Sequence, residues 1–374
     1  MNDIYYFDAL VVGSGVIGLS TALALQKKGR KVLLIEKNSY IAEETSSRNS
    51  GVIHSGIYYP KESLKKSFCI KGNDLLYKFC ENNNVPHKKT GKLIVANNDE
   101  EDALLAIYQN GINNGLEQLE LIDGNKVRDI EPNISKKISA GIIVKSTGIV
   151  DQPSLCKKLL ELFEEMGGQL TLNTNFDTYK NKDSFHLSSL NTLGEEFKIK
   201  SKYLVICSGL HSYETGLKID EVKNSKSLKK LKFVKGHYFK LNVKRTPFQK
   251  LIYPVPNKLG LGVHYTLDLD GCGKFGPDTI PVNNINYAFE GEGLKKKFFE
   301  EIIKYFPKIK IDDLTEDYTG IRPKLDSNKK YTDFSILDYD DHKVKNLIFL
   351  QGFESPGLTS SMAISEHIVK KLML

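Results

Sequence analysis

At 374 residues, 40% apolar and 26% charged, the chain has the composition of a soluble globular protein and the length for two ordinary domains, each with its own core. A disordered chain is excluded, and the longest apolar runs, ALVVG at 9–13 and NLIFL at 346–350, are strand-sized, well short of the roughly 18 residues of a membrane span. The net charge is +7, and five dispersed cysteines with no CxxC pair argue against a disulfide framework or zinc site and suit a reducing compartment. The first residues carry no basic region followed by an apolar stretch and cleavage site, so a cytoplasmic location is expected.

The segment DALVVGSGVIGLSTALALQKKGRKVLLIEK is the most informative part of the chain. A β-branched run, Ala9 to Val12, leads into Gly13-Ser14-Gly15-Val16-Ile17-Gly18 and then a helical pattern. A second apolar run ends in Glu36 and Lys37. In such a unit the first glycine makes the turn, the second admits a pyrophosphate, and the third lets helix pack on strand. The helix start offers unpaired N–H groups to phosphate. A carboxylate at the end of the second strand accepts ribose hydroxyls, and Glu36 would repel a 2′-phosphate, so FAD or NAD is favoured over NADP.

Residues 45–59, TSSRNSGVIHSGIYY, are too polar for core and too rich in Gly and Ser for a helix. Thr45, Ser46, Ser47, Arg48, Asn49 and Ser50 suit the pyrophosphate and ribityl chain of FAD, which must be held along its full length; an NAD enzyme has no such need. With the glycine motif and the acid, this run resembles the D-amino-acid-oxidase-like FAD-dependent oxidoreductases. SSRNSGVIHSGIYYPKESLKKSFCIKGN is most similar to the L-2-hydroxyglutarate dehydrogenase/oxidase family. FGPDT at 275–279, GIRPKL at 320–325 and GFESPGLTSS at 352–361 extend the resemblance over nearly the whole chain. It implies a Rossmann-like α/β FAD-binding domain with a parallel sheet (1–84, 141–222 and 313–374) and a mixed or antiparallel-sheet substrate domain (85–140 and 223–312).

Later pieces fit the first of these. GIVDQPSLCKKLLELFEEMGG at 148–168 predicts a helix opened by Asp151 and Pro153, with a stripe of Leu155, Leu159, Leu162 and Phe163, stopped by Gly167-Gly168. QLTLNTNF, ending in Phe176, predicts a strand approaching the adenine. KYLVICSG predicts a strand ending at Ser208-Gly209, a second close approach to the dinucleotide. Residues 346–374 predict strand, turn and helix, with Gly357, Leu358, Thr359 and Ser360 placing a helix N-terminus under the flavin ring, where it would stabilise charge on reduced flavin. Cys69 and Cys207 fall in helix and strand patterns, so noncovalent FAD is expected.

For the other domain, GKLIVAN at 91–97, VKGHYFKL at 234–241 and LGLGVHYTLDLDG at 259–271 alternate as an antiparallel sheet with one wet face, capped by a helix over 292–306. The stretch 223–235 holds six lysines, read as a solvated face or a contact for anionic headgroups at a membrane where a quinone would be met. No nucleic-acid motif accompanies it, and no metal cluster is expected.

The resemblance makes Arg322 the clamp on a substrate carboxylate, with Gly320 and Arg322 also beside the cofactor; Pro323 keeps Arg322 extended. Oxidation of a 2-hydroxy acid needs a base for the hydroxyl proton. His54 is the first candidate and His264 the second, with His237 structural or substrate-binding. A small dicarboxylate needs another clamp, for which Lys235, Tyr58, Tyr253 and Tyr265 are candidates; Asp278 and Glu354 would orient a base. The implied activity is oxidation of L-2-hydroxyglutarate to 2-oxoglutarate, with oxygen, a quinone or a flavoprotein as acceptor. An amino-acid, sarcosine or glycine oxidase, a glycerol-3-phosphate dehydrogenase, and a flavin-binding partner without turnover remain alternatives.

Overall fold

The computed structural model describes residues 4–181, 185–190, 196–256, 262–327 and 331–374. It divides into two units, each assembled from separate stretches: Met1–Ser47, Gln152–Phe233 and Arg322–Leu374 in the first, Arg48–Asp151 and Val234–Ile321 in the second.

The first unit is built on an eight-stranded sheet. Strand Ile4–Val12 lies between parallel partners, Val32–Ile35 on one side and Glu196–Ile206 on the other, so Val12 is level with both Ile35 and Ile206. Gln169–Thr171 extends one edge and Leu347–Gln351 pairs in parallel with Glu196–Ile206 on the other side. Val32–Ile35 and Leu347–Gln351 are buried throughout, which is why they read as continuous apolar runs. Helix Val16–Lys27 packs against Gly357–Lys371 and Gln152–Glu165. In the last of these Leu155, Leu159 and Phe163 are buried as expected, Leu162 is half-buried, and Cys156 takes a core position. Leu10, Val12, Leu33, Ile35, Leu204, Ile206 and Phe349 form the core beside the sheet, each apolar side chain contributing about 1.5–3 kcal/mol.

The second unit holds a nine-stranded sheet in which Lys92–Asn97 lies between Ile138–Val144, antiparallel, and Leu251–Pro254, parallel. Its topology is therefore mixed. The wet face expected for residues 91–97 is not there: Lys92 to Ala96 are all buried, so both faces of the strand are covered; helix Glu101–Asn113 packs on it, and Tyr58 and Tyr253 lie at Lys92. Of the strand expected at 259–271, residues 259–261 lie outside the described residues; among the described ones Tyr265–Leu267 forms, and Gly262 turns the chain with φ +71°. The capping helix is Leu294–Ile302, shorter than 292–306 because Gly293 stands at its N-cap in the left-handed region, and it buries Leu294, Phe298 and Ile302.

The units part at other residues than the sequence reading placed them. Val52–Ile53, Gly148–Val150 and His87–Lys88 pair into a small sheet, and that pairing ties 48–84 and 141–151 to the second unit. Hydrogen bonds from Lys229 N–H to Gln351 and from Asp326 N–H to the Lys230 carbonyl hold 223–233 in the first.

Candidate active site

In the first unit, strand Ile4–Val12 delivers Gly13 at φ +98°, a backbone that L side chains rarely adopt. A Cβ there would come within 2.6 Å of the Cys207 carbonyl, and one at Gly15 would come within 3.1 Å of Ser46 Oγ. Bare backbone therefore lines this turn. The buried Glu36 carboxylate accepts the Ser14 N–H (2.7 Å), the Ser14 hydroxyl (2.9 Å) and the Asn38 N–H (3.0 Å). A carboxylate offers about four acceptor positions, so Glu36 keeps capacity for a further donor such as a ribose hydroxyl.

These residues border a cavity of about 230 Å³ that also includes Lys37, Thr45, Ser46, Phe176, Ser208 and Gly209. Five stretches separated in sequence thus meet as expected. The volume is below the roughly 300 Å³ of a typical small-molecule site, so the cavity suits one end of an extended dinucleotide. The Ser208 hydroxyl on its wall is buried without a protein partner among the described residues, which marks a donor left for a ligand.

One group on the wall was not foreseen. Glu44 accepts from Lys37 Nζ at 2.9 Å and from His211 Nε2 at 3.1 Å. Burial pushes its carboxyl up, but hydrogen bonds and charge from His211 and Lys37 outweigh this and bring it down to about 2. His211 stands just after Ser208-Gly209, and nothing local in the sequence pairs it with Glu44.

Other expected cofactor contacts have different partners. Ser46 accepts the Val16 N–H and so caps the first helix. Ser47 donates to the carbonyls of Glu43 and Glu44, closing its own turn. Val16, Ile17 and Gly18 lie outside the cavity lining, Gly18 packed against the Gly13 backbone. Gly357 falls beside Ile17, 3.7 Å from it when a Cβ is built, so the N-termini of the two main helices adjoin. Leu358 and Thr359 enter the helix behind it, and the hydroxyls of Ser360 and Ser361 are buried without partners among the described residues. Arg322 is half-buried on strand Leu314–Leu325 and makes no ion pair among the described residues. Glu354 is buried with Lys324 at 3.9 Å, which offsets its charge.

The remaining candidates lie in the second unit. Arg48 stacks on Tyr287 at 4.1 Å, and its carbonyl abuts Gly320, where any side chain would collide. Gly320 is thus required by the Arg48 backbone. Asn49 accepts the Gly51 N–H in its own turn, and its carbonyl takes the Tyr318 hydroxyl; Ser50 follows it into the strand Val52–Ile53. Beyond that strand, three asparagines hold the backbone of the loop. Asn73 donates to the His54 carbonyl (2.9 Å), Asn110 to Ile57 and Tyr59, and Asn114 to Gly56 and Tyr59. The His54 ring is half-buried at the head of this pinned loop.

His264 stacks face to face on Tyr253, with centroids 3.6 Å apart. Tyr265, next in the chain, points to the opposite face, where its hydroxyl bonds Thr246 and its ring meets Phe248 and Phe275. Tyr265 belongs to the core and not to a substrate site. His237 is fully enclosed, with Asp278 accepting from its Nδ1 at 3.0 Å and from its N–H at 2.7 Å. Lys235 is likewise internal, donating to the Ala288 carbonyl. Both are structural in character. A residue the sequence did not single out stands among the others: Lys92, 1% exposed, with Nζ 4.7 Å from the Tyr58 ring and 4.8 Å from that of Tyr253. Its position in an alternating strand concealed it.

A family profile described as FAD dependent oxidoreductase matches residues 8–371. An L-2-hydroxyglutarate dehydrogenase, mitochondrial, of Arabidopsis thaliana is 36% identical over 98% of this chain and 83% of its own length. An L-2-hydroxyglutarate dehydrogenase of Indibacter alkaliphilus is 30% identical over 96% of each. Among solved structures, L-alpha-glycerophosphate oxidase from Mycoplasma pneumoniae with FAD bound superposes with a TM-score of 0.88 at 26% identity, over 99% of this chain and 95% of that one. Glycine oxidase from Geobacillus kaustophilus shares the fold at a TM-score of 0.81 and 16% identity, over 99% of this chain and 95% of that one. The chain belongs to the FAD-dependent oxidoreductase family and is an enzyme of that class. The glycine turn, the capacity left on Glu36 and the Ser208 donor fit FAD, whose adenosine end they would hold.

Proposed function

We propose that this enzyme oxidises L-2-hydroxyglutarate to 2-oxoglutarate. Similarity to dehydrogenases of that name over nearly the full chain suggests the substrate, and one observation supports the chemistry: the half-buried His54 heads a loop pinned by three asparagines. A base must be held still to accept the hydroxyl proton as the α-carbon gives up its hydride. In this reading His54 takes the proton, and His264, braced by Tyr253, is the second candidate. Arg322, with no ion-pair partner among the described residues, binds the α-carboxylate through its planar fork. FAD, when bound, supplies the two-electron acceptor; Gly13, Gly15, Glu36 and Ser208 hold its nucleotide end and Gly357 to Ser360 its ring.

Purified enzyme should be yellow and bleach anaerobically with L-2-hydroxyglutarate, but not with the D-isomer, glycine, sarcosine or L-alpha-glycerophosphate. Bleaching by one of the last three instead would reassign the substrate. Adding back oxygen, then a quinone analogue, identifies the acceptor. No helix among the described residues is long and apolar enough to cross a membrane. Peripheral contact would use Lys223, Lys226, Lys229 and Lys230, which are exposed, whereas Lys232 pairs with Asp326 and Lys235 is buried. Salt-sensitive binding to phosphatidylserine vesicles tests that contact.

A further inference from the structure

Lys92 opens a strand whose parallel neighbour sets Tyr253 level with Ile94, so Lys92, Ile94 and Tyr253 project from one face. Its amine lies near the Tyr253 ring on that face and near the Tyr58 ring of the pinned loop. Tyr253 continues into the stack with His264, and Cys69, whose thiol donates to the His54 carbonyl at 3.5 Å, is electrostatically coupled to Lys92. The amine therefore sits among the residues that support both candidate bases.

A buried ammonium is costly unless an anion compensates it, and two tyrosine faces are a weak substitute. The titratable groups around the amine are Tyr58, Tyr253 and Cys69, with His264 behind Tyr253. Burial pushes both the Tyr58 phenol and the Cys69 thiol up, so neither is an anion at neutral pH. Lys92 makes no ion pair among the described residues, and burial brings it down to about 7. The hydroxyl of Tyr58, whose ring faces the amine, is buried with no partner among the described residues. Here an unbalanced cation and an unused donor occur together, which is what a carboxylate needs.

We infer that Lys92, with the Tyr58 hydroxyl, binds the distal carboxylate of the substrate and so selects a dicarboxylate. The inference rests on the reaction proposed above, for which no second clamp was otherwise found. Lys92 then distinguishes a distal carboxylate from a neutral group of the same shape.

The test compares L-2-hydroxyglutarate with its 5-amide, which keeps the shape and loses the distal charge. In the wild type the amide should be poorer in kcat/KM by about 30-fold or more, the loss of one hydrogen-bonded charge pair. Lys92→Met should lower kcat/KM for L-2-hydroxyglutarate to about the level of the amide and leave the amide within a few-fold. Equal losses for both substrates, or none for either, would overturn the assignment. Should Lys92→Met fail to fold, the wild type decides alone. KM for the dicarboxylate should rise as pH passes above 7 while that of the amide does not, and parallel curves would reject Lys92. Should neither compound reduce the flavin, the activity proposal fails, and glutarate binding read from the flavin spectrum still judges Lys92. A Kd raised about 30-fold in Lys92→Met supports the carboxylate site, and an unchanged Kd removes it.

Discussion

Glu44, half-buried, and Lys92, fully buried, are charged groups, one in each unit, and their surroundings differ in kind. Glu44 has two hydrogen-bonding neighbours, Lys37 and His211, which bring its carboxyl down to about 2 despite burial. Lys92 has two aromatic faces and a neutral thiol, and burial alone brings it down to about 7. The first arrangement is complete within the protein and stabilises it. The second is complete only when an anion arrives. In this pair the balanced charge belongs to the architecture, and the unbalanced one marks the place where a ligand supplies the difference.

The comparison breaks most readily at the residues proposed for the chemistry. His54→Ala should slow anaerobic flavin reduction by about 10²–10⁴-fold while FAD content stays native, as expected for loss of a general base. A nearly native rate would transfer that role to His264. Arg322→Lys should raise KM about tenfold with kcat within a few-fold, since the ammonium keeps charge and loses the fork. An unchanged KM would remove Arg322 from the carboxylate.

Smaller effects separate the two charges by pH. The Glu44 carboxyl lies below its unfolded value of 4.5, so its contribution is present above pH 4.5 and is lost as pH falls through about 2. Glu44→Gln should therefore cost about 2–3 kcal/mol in urea unfolding at pH 7 and almost nothing near pH 2. Lys92 has the same sign of dependence in a different window. Between about 7 and 10.5 the unfolded chain holds the proton that the folded chain has released, so stability rises with pH across that window. Lys92→Met should flatten the rise, and an unaltered slope would show that Lys92 is not its source.

How much of this was legible in the sequence follows the range of the interactions. Gly13, Glu36 and the strand to Ile206 could be read because turn geometry and apolar runs are local signals. The helix Gln152–Glu165 could be read to within a few residues for the same reason. Lys92 could not, because a lysine in an alternating strand signals solvent, and only the tertiary packing of Tyr58 and Tyr253 over its amine removes it. Tyr265 and His264 are adjacent letters on opposite faces, and the sequence does not say which face is core. The pairing of Glu44 with His211 spans 167 positions, and no periodicity carries it. Ser47 and Asn49 read as ligand donors because a turn that satisfies its own carbonyls uses the same residue types.

The interleaving of the two units has a consequence for the order in which the chain becomes protein. The second unit has all its segments by Ile321, whereas the first needs Arg322–Leu374. Strand Leu347–Gln351 and helix Gly357–Lys371, which complete the sheet and pack on the first helix, are made late in synthesis. On the ribosome the unit carrying Lys92 and His54 therefore has its full complement first, and the glycine turn waits with an unfinished sheet for its last strand. Flavin capture is in this sense a late event of biosynthesis, and a chain stopped at Ile321 would carry Lys92 and His54 with neither Arg322 nor a completed nucleotide unit.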